Sequence, residues 1–103
     1  MLTVTTDFIP GAEFEVLGIV TGSTVRAKHV GKDFVASFRT IVGGEVNEYT
    51  EMMREARSIA MDRMIAEAMS INADAIVGVR YSSSEIMQGS AEIMAYGTAV
   101  KFK

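Results

Sequence analysis

Three observations predict an α+β fold. β-Branched runs stand near both ends of the chain, a central stretch repeats its apolar residues every three or four positions, and a glycine pair, Gly43-Gly44, divides that stretch in two. The expected order is ββααββ, an antiparallel sheet packed on one long helix plus a shorter one. At 103 residues the chain has the size of one domain, 1–103.

Residues 2 to 6, "LTVTT", form a short first strand that ends at Asp7, with Pro10-Gly11 marking a turn. Residues 13 to 27, "EFEVLGIVTGSTVRA", carry apolar side chains at both parities and read as one long strand, bent or bulged at Gly18 and Gly22. From Gly31 the spacing of Phe34, Val35, Phe38, Ile41 and Val42 favours a helix that ends at the glycine pair. The first glycine supplies a left-handed cap, and the second lets the next helix leave at a new angle.

That second helix starts near Asn47, a suitable N-cap, with Glu48 and Glu51 in the first turn where the helix dipole favours acids. It runs to about Ile71, and Asn72 then occupies the left-handed C-cap position. Two strands follow, "AIVGVRYSS" from 75 to 83 and "SAEIMAYGTAVKF" from 90 to 102. The polar segment between them, with Gln88-Gly89, suits an antiparallel hairpin with ragged ends.

Composition removes several classes of function. Net charge is -3, with acids and bases interspersed, so the chain lacks the electrostatic footprint of a nucleic-acid binder. Cysteine is absent, which excludes disulfides, thiolate catalysis and cysteine-ligated zinc. No stretch approaches the length of a membrane span and the start lacks a secretory pattern, so a soluble cytoplasmic protein with no membrane partner is expected. A compact monomer of 11.2 kDa would expose roughly 5,700 Å². With 49% hydrophobic residues the chain strains what so small a body can hide, and association with itself is the simplest relief.

The predicted faces point the same way. On the long helix Tyr49, Met53, Ala56, Ala60, Met64 and Ile71 share a stripe that faces the sheet, flanked by Met52 and Ile59. Glu51, Arg54, Glu55, Ser58 and Asp62 form a solvated side. Beyond Asp62, the residues Met61, Ile65, Ala66, Ala68 and Met69 spread apolar surface around the helix, more than one sheet can cover. The last strand has a small face (Ala91, Ile93, Ala95, Gly97, Ala99), extended by Gly78, and a large one (Met94, Tyr96, Thr98, Val100, Phe102) for which the chain has no spare cover. A subunit interface is expected from the C-terminal half of the helix and the bulky face of the sheet.

Candidate chemistry is sparse. Five of the eight methionines, Met52, Met53, Met61, Met64 and Met69, lie on the long helix, but they face several directions where a soft-metal site needs convergence, so packing is favoured. His29 has Asp33 four residues on and no second histidine, the pattern of an exposed loop histidine. A phosphate loop at Gly43-Gly44 is excluded, because Glu45 and Glu48 compete for the same potential and no Lys-Ser or Lys-Thr follows. Arg63 and Glu67, four apart beside the apolar stripe, are expected to form an ion pair within the helix or between subunits. The alternative is a carboxylate lining a central cavity. Arg39 and Arg80 could hold an acidic ligand. Ser82, Ser83 and Ser84 lack a base nearby, and no catalytic residue is assigned.

The stretches "VLGIVTG" (16 to 22), "GKDF" (31 to 34), "RTIVGGEVNEYTEMMREAR" (39 to 57), "NADAIVGVRY" (72 to 81) and "YGTAV" (96 to 100) together cover most of the chain. In this combination the sequence resembles the YbjQ-like family, labelled for heavy-metal binding and without a demonstrated activity. The resemblance implies a dodecin-subunit-like fold assembled as a homopentameric ring. Asn72 stands where the family's glycine is expected, and Lys32 where arginine is usual. The leading reading is a non-enzymatic oligomeric binding or scaffold protein whose partner is itself. A metal-binding module using His29, Asp33, methionines or backbone carbonyls gathered by symmetry is the alternative. Third is catalysis on a small molecule between subunits with Glu67, Arg39, Arg80 or Tyr96.

Overall fold

The structure, a computed structural model, describes residues 1–27 and 47–103, with helix side chains from Thr50 onward. The elements are β1 (Leu2–Thr3), β2 (Phe14–Ala27), α1 (Asn47–Ser70), β3 (Ala75–Met87) and β4 (Ser90–Phe102). The first expected helix, the Gly43-Gly44 junction, His29, Asp33 and Arg39 lie outside the described residues. A mixed α+β fold with one helix on a four-stranded sheet is seen among the rest.

The strand order is β1-β3-β4-β2. β4 is central and pairs antiparallel with both long neighbours, while β1 lies parallel to the start of β3. The hairpin is tighter and longer than its sequence suggests. β3 continues through the serines to Met87, and the turn is Gln88-Gly89, with Gly89 at a φ of 77°, which glycine adopts without strain, and a slip in register between Glu85 and Met87 beside it. Three exposed serines in a row have weak strand propensity, so pairing with β4 decides their conformation, not preference.

Glycines shape the strands in two different ways. At Gly18, with φ 141°, the register of β2 slips by one against β4, the expected bulge. Gly22 is no bulge. A Cβ there would overlap the backbone nitrogen of Met64 and the carbonyl oxygen of Ala60, so α1 rests backbone on backbone against β2 at this point. Gly78 does not extend a small face as expected. Its φ of 62° marks a second bulge, in β3, and only Asp7 stands near its missing Cβ.

The core lies between α1 and one face of the sheet. Ala56, Ala60, Met64 and Ala68, spaced by four, are fully buried against Val20, Ile76, Ile93, Ala95 and Ala99. The buried stripe therefore continues to Ala68, not to Ile71, which is 44% exposed. A row spaced strictly by four drifts around the helix axis, and here it keeps contact with a twisted sheet. Met53, Met61 and Ile65 flank the core half-buried and Ala68 is buried in it, while Ala66 is exposed and Met69 is left 62% exposed, so part of the apolar surface beyond Asp62 stays uncovered among the described residues.

The opposite face has a cover of its own, which the sequence reading did not foresee. Val4, Ile9 and Phe14 pack on Ala75, Val77 and Val100 in a second small core. The N-terminal segment stays there because Val4 N–H donates to Ile76 O at 3.0 Å, and Val79 and Gly78 N–H donate to Val4 O and Thr6 O at 3.0 and 2.8 Å.

The helix ends as expected. Asn72 takes a left-handed φ of 61°, Ala73 N–H donates to Ala68 O at 3.0 Å, and Asn72 N–H donates to Met69 O at 3.1 Å, the paired bonds of a Schellman cap. Lys101 Nζ donates to Asn72 O at 2.9 Å, and Asp74 Oδ2 accepts Phe102 N–H at 2.8 Å, pinning the last strand to this corner.

Candidate functional site

The charged residues singled out from the sequence lie on two seams of the fold. On the first, α1 runs over β2 with no side chain between them at Gly22. Glu67 and Arg63 reach down on the same side of the helix to the outer edge of the strand. Thr21 N–H donates to Glu67 Oε2 at 3.0 Å, and Arg63 Nη1 donates to Ser23 O at 2.7 Å. The expected ion pair between them is not formed.

The reason is a better match. A strand edge offers an amide and a carbonyl two residues apart, and an i, i+4 acid and base on a helix lying in contact can take one each. Along an antiparallel strand successive residues turn their backbone groups to opposite sides, so Thr21, Ser23 and Val25 face away from β4. Glu67 and Arg63 thus cap the middle of an open edge. Two turns earlier on the helix, Glu55 pairs with Arg26, both partly exposed.

Arg80 anchors the second seam. Its Nη1 donates to Thr5 O and to its own Val79 O, each at 2.9 Å, and ties the N-terminal segment down across the bulge at Gly78. Tyr96 is its cross-strand partner and is 36% exposed. Arg80 and Glu67 lie on opposite sides of the sheet order, on β3 and against β2, and do not converge. Arg39 lies outside the described residues.

Three of the helix methionines share the core. Met64 is buried in the core, Met53 and Met61 flank it, and Met69 is exposed. Among the described residues no group of three or more His, Asp or Glu could hold a metal ion. His29 and Asp33 fall outside them. Ser82, Ser83 and Ser84 are exposed strand residues on alternating faces. Each described functional candidate is therefore either committed to a backbone partner or isolated, and within one chain the arrangement holds elements together. Sequence reasoning missed Gly22 as the helix contact and the Asp74–Lys101 corner. A glycine at a position where alternation calls for an apolar residue, between Val20 and Thr24, was the available signal for the first.

No helix among the described residues is long and apolar enough to cross a membrane. Comparison with known proteins gives close relatives along the whole length. The chain is 58% identical over 104 residues to a UPF0145 protein of Fervidobacterium nodosum, covering 100% of this chain and 96% of the relative. It is 57% identical to a UPF0145 protein of Alkaliphilus metalliredigens, with 99% of each covered, and 54% identical to one of Thermotoga maritima, with 100% and 98% covered. Among solved structures, a protein of unknown function from Pediococcus pentosaceus, of the DUF74 family, matches with a TM-score of 0.66 at 15% identity over 100% of this chain and 98% of that one, a likeness of fold alone. The YbjQ family model, described as "Putative heavy-metal-binding", matches residues 1–103, and the chain belongs to that family.

Proposed function

We propose that this protein is a dodecin-like subunit of a homo-oligomeric ring of five copies, a cytoplasmic binding or scaffold protein with no catalytic centre within one chain. The observation that carries the reading is surface. Fourteen large apolar side chains stand exposed among the described residues, including Val16 at 65% and Ile19 at 77% on β2, and Met87 at 65% on β3. Exposed apolar surface of that extent is what copies of the chain would cover against one another.

A second reading, heavy-metal binding with ligands assembled between subunits, is favoured by the description of the family model. Rotational symmetry can bring together single donors that one chain keeps apart. Sedimentation and native mass spectrometry of untagged protein test both. Five copies at micromolar concentration support the first, and a monomer overturns it. Metal retained in stoichiometric amount by the assembly supports the second, and traces only count against it.

A further inference from the structure

We infer that the assembly is joined by strand addition: the outer edge of β3 from Tyr81 to Glu85 pairs, in parallel, with the outer edge of β2 from Ser23 to Ala27 in a neighbouring copy. This rests on the oligomeric reading above and names the surfaces that would carry it.

The topology leaves two unlike edges open among the described residues. β1 and the segment through Thr6 cover the outer edge of β3 only at its start, by the bonds to Ile76, Gly78 and Val79 and the Arg80 tie to Thr5. From Tyr81 onward that edge has no strand beside it among the described residues. On β2 the residues that face outward are Thr21, Ser23, Val25 and Ala27, and α1 caps only the Thr21 amide and the Ser23 carbonyl. The cap shields the middle of this edge from a neighbour's backbone and leaves the stretch beyond it open.

The two open stretches lie level. Glu92 of β4 is the partner of Val25 on one side and of Ser84 on the other. Both β2 and β3 run antiparallel to β4, so they run parallel to each other, and a rotation about an axis along the strands brings one copy's β3 beside the next copy's β2 in that sense. Two different edges make a head-to-tail contact, which generates rings where the rotation closes.

The side chains agree with the backbone. Thr21 and Ser23 turn away from β4, so their partners Tyr96 and Met94 turn towards β3; Ser82 and Ser84 therefore bond to β4, and Tyr81, Ser83 and Glu85 turn their amides and carbonyls outward, with side chains on the helix face like their partners Ala95 and Ile93. Their own α1 does not reach them: Tyr81 is 46% exposed, and Ser83 and Glu85 are exposed. In the joined pair, the neighbour's α1 overhangs its β2 with the flank that carries Ile59 and Arg63, and that flank covers Tyr81. An edge this long and uncapped is otherwise a liability for uncontrolled pairing.

The absence of cysteine makes the test direct. Two single-cysteine variants, Ser84→Cys and Val25→Cys, are mixed and oxidised, with Ser82→Cys and Ser23→Cys as the pair one step along; these positions share the face opposite α1. A cross-linked dimer that forms in a mixture of one β3 and one β2 variant, and not from either alone, supports the pairing. As a second arm, Glu85→Pro removes the outward amide that would meet the uncapped Val25 carbonyl and leaves the ladder to β4 intact. Association weakened tenfold or more, with the circular dichroism of a folded chain, is expected. If wild-type protein sediments as a monomer, the oligomeric reading itself fails. If it assembles, yet no mixture cross-links and the Glu85→Pro variant assembles undiminished, only the edge assignment is overturned.

Discussion

The two ends of the β3–β4 hairpin differ sharply although the same two strands make both. At the root, Ala75, Ile76, Val77 and Val79 are buried one after another, since α1 covers one face and the N-terminal segment the other. At the tip, every β3 residue from Tyr81 to Met87 is exposed, while β4 opposite still buries Ser90, Ala91 and Ile93. The root behaves as the middle of a three-layered domain, the tip as an arm. Burial therefore follows what lies across the strand more closely than the strand's own composition, and the work of folding is concentrated at one end.

Substitutions can break or sharpen that contrast. The largest loss is expected at Gly22, where Gly22→Ala forces a methyl into the helix backbone; urea unfolding should show about 3 kcal/mol or more lost, and a smaller effect would mean that α1 can lift from β2. Next comes Met64→Ala in the core above the root, with about 3 kcal/mol lost and an unchanged slope against denaturant. Gly78→Ala places a side chain in a left-handed conformation at the boundary between root and tip, costing about 1 kcal/mol by the same measurement. Arg80→Ala should speed hydrogen exchange at the Gly78 and Val79 amides several-fold by releasing the N-terminal segment, while β4 amides stay protected. The smallest change belongs to the tip. Ile86→Ser, at a side chain 51% exposed, should alter the stability of dilute protein by less than about 0.5 kcal/mol, and a loss near that of Met64→Ala would erase the contrast.

Much of this was legible from residue order. The long helix from Asn47, its left-handed end at Asn72, the bulge at Gly18 and the small face of β4 all follow from local rules, and the structure has each of them. The family was legible too, from stretches scattered along the chain. The tertiary choices were not. Nothing local says that Val4, Ile9 and Phe14 fold back over Val100, because that cover depends on where β1 lands beside β3. Nor could the spacing of Arg63 and Glu67 show that each has a better partner in a strand more than 35 positions earlier, at separations of 40 and 46 residues. The strand read from 75 to 83 stops short of Met87 because polar composition outweighed a pairing that only the hairpin supplies.

The contact at Gly22 has a consequence for how the sequence can drift. Where a side chain separates two elements, exchanging it for a larger or smaller one moves them apart or together. Here main-chain atoms meet directly, so the spacing of α1 and β2 is set by atomic radii that no mutation elsewhere can change. Position 22 works as a datum point, and the rest of the interior must be sized to fit it.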